Sequence, residues 1–559
     1  MKIKNINRYR TILLSSISSM VLLSSCTKDF AEVNTNQLLP DAHQKTLDGL
    51  ASGGLFPGFI QNIIPTRGPG QSTDLPNRYQ IAFNLAGDNW AGYFSPGNST
   101  WNDAKNYTNY YVIDGWSNYA FSTMVERVIN PFMEIKAAMH DVEIASDKTL
   151  IYHKKDLASQ SVFSVAQIIK IMGYHRTTDM FGPVPYSKIG AGRLTVPYDS
   201  QEQVYRSFFK ELEEAVATLN EYLASGGTKI LAEYDPVYQG DTSKWIKLGN
   251  SLMLRLAMRV RYVDSSLATE YATKAFNNSG GLLTNKEDVA KLQNNGRFNY
   301  FNSVQLLWKS YAEVKMGATI YSYLKGYDDP RIAKYFSKGN YNGKEDYYAV
   351  RSGITKLSEP LYKDFSNPNI EENTPTYWMK ASEVKFLLAE AALFNIIPGN
   401  AQDYYNQGIA LSFEENDLQI GNYLEAQKQP ANYVDPKNSA YSIDAISNIT
   451  KEWGANYSQE EHLEQIITQK YLAIYPDGHE AWTEWRRTGY PRIFKIPANN
   501  SNVGTQDINT SGTDGGMRRL PFPLNEYRLN SDNVNAAKAF LGGSDNAATN
   551  VWWDKKSKR

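Results

Sequence analysis

A single cysteine sets the terms on which this chain has to fold. Cys26 is the only cysteine in 559 residues, and it closes the stretch TILLSSISSMVLLSSC, Thr11–Cys26. Lys2, Lys4, Arg8 and Arg10 precede that stretch with no acid among them. A basic segment followed by an apolar run is the pattern of an export signal. The run from Thr11 to Leu23 rises roughly 20 Å as a helix, short of the ~30 Å hydrocarbon core of a bilayer. Residues 1–25 therefore read as a signal peptide and not as a membrane span. A chain exported with its one thiol at the cleavage point has no intramolecular disulfide to staple it. A large, well-packed core has to take that role, and the length is ample for one.

The end of the signal carries more information than its middle. Leu23-Ser24-Ser25-Cys26 is not an A-x-A-like cleavage site. Leucine, two small residues and cysteine resemble a lipobox, the bacterial signal that acylates the cysteine and cleaves before it. The competing reading is an ordinary secretory signal with a chance cysteine. A lipoprotein cysteine carries several acyl chains, and two or more anchor a protein stably where one does so only marginally. Residues 26–45 are polar and weakly patterned, and read as lipid anchor and tether. After Cys26 no comparably long uncharged apolar run occurs, so nothing else is expected to span. Lys+Arg total 58 against 59 Asp+Glu, a net charge of −1, which argues against nucleic acid or a polybasic membrane patch as partner.

From about Leu50 to Tyr119 the chain is broken by Gly, Pro and Asn, as in PTRGPGQSTDLPN and AGDNWAGYFSPGNSTWND, with aromatic residues between the breakers. Breakers set loops and turns, and loops held on a rigid scaffold often carry recognition. Helical patterns then follow. Ser161–Met172 is apolar on one broad face. Ser200 with Gln203 forms a capping box ahead of Val204, Phe208, Leu212, Ala215, Val216 and Leu219, at spacings of three and four. Trp245, Leu248, Leu252, Leu256 and Val260 repeat the stripe. Ser458 with Glu461 makes a second capping box, and Asp477 caps one more helix carrying Trp482 and Trp485. Helices fall into adjacent pairs: 157–178 with 200–224, 381–396 with 401–415, and 459–475 with 477–488. Strand patterns are few and short. The class is mainly α, with tetratricopeptide-like helix pairs forming a scaffold, although no clean 34-residue repeat is visible.

Eight blocks in register carry a resemblance. They are FGPVPYS (Phe181–Ser187), YDSQEQVY (Tyr198–Tyr205), KWIKLGNSLMLRLAMR (Lys244–Arg259), DDPRIAKYF (Asp328–Phe336), ASEVKFLLAEAA (Ala381–Ala392), LEQIITQKYLAIYPDGHEAWTEWRRTGYP (Leu463–Pro491), RRLPFPLNEYRLN (Arg518–Asn530) and VWWD (Val551–Asp554). Together they resemble the SusD/RagB family of nutrient-binding outer-membrane lipoproteins, in the branch that ends on the double-Trp–Asp tail. The resemblance implies a scaffold of tetratricopeptide-type pairs wrapped by a loop-rich, irregular half. It implies one domain over 46–559, with a binding part near 46–119 and 280–375. It also implies a lid-like role over a SusC-like TonB-dependent transporter, an outward-facing position, and capture of oligosaccharide, or in some members peptide, without catalysis. Asp29 and Glu32 follow the cysteine, but Lys28 precedes both, an imperfect export signal.

Known chemistries leave little trace. The six histidines form no H-E-x-x-H helix, and no G-x-S-x-G elbow occurs. Gly339–Lys344 is one residue short of a P-loop and reads as a turn. No metal ligand set and no cofactor motif is found. A glycosidase needs only two carboxylates ~5–10 Å apart, so a secreted glycoside hydrolase stays open as the enzyme alternative, beside a scaffold lipoprotein binding only protein. Arg486-Arg487 and Arg518-Arg519 fit either anion clamps or internal ion pairs with Glu480, Glu484 or Asp514, the second being favoured. For a sugar, the expected platform is a ring stacked on C–H faces with amides at the edge. Gly87–Asn102 has that make-up, with Asn89, Trp90, Tyr93 and Trp101 as ligand-binding candidates beside Asp88, Asn98 and Asn102. Trp308 and Tyr311, three apart, form a second candidate platform. The alternative for Trp90 and Trp101 is that they plug the loops onto the helices.

Overall fold

The computed structural model describes residues 50–97, 105–146, 149–190, 195–294, 296–355, 362–502, 504–505, 507–508 and 515–557. Cys26, the signal and the tether lie outside them, as do Asn98, Trp101, Asn102 and Asp514. Ser52–Arg559 gathers into one compact unit.

Short turns aside, the helices run in chain order as α1 (Phe56–Gln61), α2 (Asp74–Tyr79), α3 (Asp114–Met124), α4 (Glu126–Ala138), α5 (Leu157–Phe181), α6 (Gln201–Ala224), α7 (Thr242–Val260) and α8 (Ser265–Asn277). They continue as α9 (Ser303–Lys309), α10 (Ala318–Gly326), α11 (Ala381–Leu393), α12 (Ala401–Glu415), α13 (Gln459–Ala473), α14 (Gly478–Thr488), α15 (Leu524–Leu529) and α16 (Ser531–Ala537). The strands are short: β1 (Phe94–Ser95), β2 (His140–Ile144), β3 (Leu150–Lys154), β4 (Val184–Pro185), β5 (Tyr198–Asp199), β6 (Ala290–Leu292), β7 (Lys315–Met316), β8 (Gly339–Tyr341), β9 (Lys344–Asp346) and β10 (Thr376–Met379). They pair only two by two, all antiparallel, as β1·β7, β2·β3, β4·β5, β6·β10 and β8·β9. The fold is mainly α with tetratricopeptide-like pairs.

Local chemistry explains where the scaffold helices start. Asp156 caps α5 by accepting from the Ser159 amide at 2.9 Å, and Gly182, at φ +80°, ends it. The Ser200–Gln203 box opens α6 and the Ser458–Glu461 box opens α13, each with both reciprocal bonds in place. Such caps satisfy amides that the helix itself leaves unpaired. The apolar stripes then meet: α5 packs on α6, α6 on α7, α7 on α8, and α11 on α12. The third expected pair is a correction. α13 packs mainly on α11, whereas α14 packs on a π-helical segment, Gln80–Asp88. That segment comes from the region read as loop, which also holds α1 and α2. The apolar spacing there is too irregular to announce a helix, and burial of Ala82, Phe83, Leu85 and Ala86 stabilises it instead.

The packing of that segment on α14 is close enough to need glycine on both sides. A Cβ on Gly87 would lie 2.7 Å from the Cα of His479, and one on Gly478 only 2.3 Å from the Cα of Asp88. The near-miss P-loop is the β8–β9 hairpin, turned by Asn342 and Gly343, both at positive φ.

Candidate functional site

The two candidate platforms, more than two hundred residues apart, are brought side by side by β1 and β7. Phe94 pairs with Met316 and Ser95 with Lys315. The Gly97 amide donates to the Glu313 carbonyl at 3.1 Å, and the Gly317 amide to the Tyr93 carbonyl at 2.9 Å. The pairing settles which rings face inward.

Asn89, Trp90 and Tyr93 face the core, which corrects their reading as an open platform. Tyr93 is fully buried, stacked on Tyr471 with centroids 4.5 Å apart and edge-on to Tyr475 at 5.4 Å, and its hydroxyl donates to the Tyr471 carbonyl. Trp90 lies against Trp482 at 4.7 Å and Tyr107 at 5.7 Å, with its indole N–H on the Tyr107 carbonyl at 3.1 Å. Asn89 donates to the Asn84 carbonyl at 2.5 Å. Asn89 borders a cavity of about 30 Å³ shared with Trp90, Arg351 and Trp485. That volume holds a water or two and no sugar ring. The physical reason is simple: large rings flanked by a tight strand pair gain more from packing than from exposure.

Trp308 and Tyr311 lie at the surface instead, both half-buried. The Trp308 indole N–H donates to the Ile370 carbonyl at 2.7 Å. The Tyr311 hydroxyl reaches the Ser72 carbonyl at 2.9 Å and Asn77 Oδ1 at 3.1 Å. Burial and the Glu313 carboxylate raise its phenol above the ordinary range, so it stays protonated and donates. Each side chain is thus held at its polar tip in a residue that is only partly covered, with the Lys309 ammonium 6.0 Å from the Trp308 ring centroid. Around them lie exposed residues 69–74, Lys309 and 371–373.

Arg67, which no sequence pattern marks, organises this face. Its backbone exchanges two hydrogen bonds with Phe301, at 2.9 and 2.7 Å, and its guanidinium lies 5.2 Å from the Phe301 centroid. It also donates to Gln305 at 2.9 Å and Glu372 at 3.1 Å. Three separate chain segments are tied together by one side chain. The PTRGPGQ breakers mark the loop, but nothing local points to partners at 301, 305 and 372.

The double arginines are internal. Arg487 forks onto Glu390 at 2.7 and 2.6 Å and onto Glu484 at 2.9 and 2.7 Å. Arg486 donates to the carbonyls of Asp179 and Arg518, Arg518 lies 3.6 Å from Asp554, and Arg519 pairs with Asp545 at 2.5 Å. Arg259 joins Asp179, Glu480 and Glu484, and Lys470 joins Glu383, Glu480 and Glu484. The Trp553 indole closes the network on Asp179 at 2.7 Å, pinning the C-terminal tail to the scaffold. Trp482 and Trp553 are fully buried. Among the described residues no group of three or more His, Cys, Asp or Glu could hold a metal ion, and no helix is long and apolar enough to cross a membrane.

The SusD-like family, described as Susd and RagB outer membrane lipoprotein, matches residues 32–554, and the chain belongs to it. Solved structures agree. A chitin-binding SusD homologue from Flavobacterium johnsoniae is 33% identical with a TM-score of 0.81, covering 90% of this chain and 99% of its own. A SusD homologue from Bacteroides vulgatus is 31% identical with a TM-score of 0.82, covering 92% and 99%. A chitin-binding protein is 26% identical with a TM-score of 0.68, covering 90% and 100%. No curated protein matches the sequence.

Proposed function

We propose that the protein is a non-catalytic, surface-exposed lipoprotein that captures nutrient oligosaccharide on the Trp308–Tyr311 face and delivers it to a SusC-like TonB-dependent transporter. The observation that carries the reading is that pair of rings, tethered by their polar tips and partly exposed on a face organised by Arg67. Sugars offer flat apolar C–H faces ringed by hydroxyls, and half-exposed indole and phenol rings match them. Family membership and two chitin-binding relatives support an oligosaccharide as the ligand class. Chitin oligomers are the first ligand to test.

Calorimetric titration of chitin oligosaccharides into the purified protein is expected to show saturable binding. Trp308→Ala and Tyr311→Ala should each weaken it by about 1–3 kcal/mol, as loss of a desolvated aromatic hot spot does, with the melting temperature nearly unchanged. Unaltered affinity in the double variant would remove this face as the site. Release of shorter products during incubation would favour the hydrolase alternative.

Anchoring rests on Cys26. A Cys26→Ser variant is expected to fold but to leave the membrane fraction, because the acyl chains are the apolar anchor; its retention there would overturn the lipobox reading. Mild detergent extraction of the native protein is expected to bring down a large outer-membrane β-barrel.

A further inference from the structure

On the scaffold side, a groove of about 360 Å³ opens between the end of α12 and the β6–β10 strand pair. Neither Trp308 nor Tyr311 lines it. One wall is acidic: Glu414 and Glu415 close α12, and Asp417 follows. Carboxylates at a helix C-terminus face the negative end of the helix dipole, the unfavourable end, and the last turn of α12 carries no basic residue to offset them. Lys286 lies 4.0 Å from Asp417, and Glu287 lines the groove next to it. Glu415 is held by the Ser382 amide and hydroxyl, at 2.9 and 2.5 Å.

The opposite wall is cationic and aromatic. Lys291 and Tyr377 are cross-strand partners in the β6–β10 register, so their side chains share one face of the pair. Lys291 is half-exposed, and its ammonium makes no hydrogen bond or ion pair among the described residues. At the floor, Lys380 is 5% exposed, its ammonium bonded to the carbonyls of Ala473 and Tyr475 at 3.0 and 2.8 Å and 4.7 Å from the Tyr377 centroid. Burial pulls its amine down to about 8, while Glu415 acts the other way. Opposite charges thus face each other across a space that they do not close themselves, in a volume typical of small-ligand pockets.

We infer that this groove binds a small zwitterion of the amino-acid or short-peptide type, its amine at the α12 end and its carboxylate at Lys291. A purely anionic ligand would meet Glu414 and Asp417, and a purely cationic one would leave Lys291 unpaired. Only a molecule carrying both signs complements both walls. The site is separate from the oligosaccharide face, and the inference stands whether or not that face binds sugar.

Ligand-observed NMR titration of the intact protein with glycylglycine tests it. Saturable binding is expected, weakened at least fivefold in N-acetylglycylglycine, which lacks the amine, and in glycylglycinamide, which lacks the carboxylate. Lys291→Gln should abolish the preference for the free carboxylate, and Glu414→Gln should reduce the preference for the free amine. Both residues are at the surface, and unchanged melting temperatures confirm that folding is not the cause. Absence of saturable binding, equal binding of the capped compounds, or wild-type behaviour of both variants would overturn the inference.

Discussion

Replacing Arg487 by alanine is expected to destabilise the protein by about 3–5 kcal/mol at neutral pH, the range found when one partner of a buried ion pair is removed. Arg487 is fully buried, and its fork satisfies two carboxylates at once, Glu390 and Glu484. Truncation leaves Glu390 with Arg261 alone and Glu484 with Arg259 and Lys470 at 3.4 Å. Arg487→Lys keeps a charge but loses the bidentate geometry, and should fall between wild type and alanine. Denaturant titration reads the difference. A loss below about 1 kcal/mol would place Arg487 in the class of surface pairs and contradict its geometry.

The same network sets the acid limb of stability. Arg487 and its neighbours hold Glu484 down to about 2 and hold Glu390 and Glu480 below the usual carboxylate range against burial. A depressed carboxylate contributes stability that is fully present above its unfolded value, about 4.3, and is lost as pH falls through the folded value. His175 and His479 add to this: burial, with Arg176 nearby, keeps both neutral well below 6.5. Their unfolded forms take up protons as pH drops below 6.5, so stability begins to decline there and declines further towards 2. Arg487→Ala should flatten the lower part of that curve, and an unchanged slope would detach the network from acid sensitivity.

Asp88→Asn is expected to stabilise the protein at pH 8 by an amount on the order of 3–5 kcal/mol, from the linkage of about 1.4 kcal/mol per unit. Asp88 is buried where the π-helical segment meets α14, and burial pushes its carboxyl up to about 8, with Asp477 adding to the rise. The unfolded chain releases this proton near 3.9 while the folded chain keeps it, so wild-type stability falls as pH rises from about 4 to 8. Asparagine reproduces the neutral form: its oxygen takes the Gly478 amide, and its NH₂ can donate to the Tyr79 hydroxyl, now 2.8 Å from Asp88. The gain should vanish near pH 4. A variant less stable than wild type at pH 8 would mean that Asp88 is ionised there.

The part of the fold legible from residues alone is the part governed by near neighbours. The Ser200–Gln203 and Ser458–Glu461 boxes and the Asp477 cap act over three residues, so their helices are legible wherever the chain goes next. The stripes on α6 and α7 are legible for the same reason: period and burial coincide. The lipobox pattern and the family blocks are likewise local strings of residues. The tertiary structure alone decided which aromatic residues are available. Trp90, Tyr93, Trp308 and Tyr311 look alike in sequence, each a large ring beside breakers or polar residues. The β1–β7 pair and α14 bury the first two against Trp482 and Tyr471, while the second two stay half-exposed beside the loop that Arg67 ties down. Tertiary contacts also turned Arg486, Arg487, Arg518 and Arg519 inward and sent α14 to the π-helical segment. A side chain's orientation depends on partners hundreds of residues away, and no periodicity within a helix or loop records which segment will arrive to cover it.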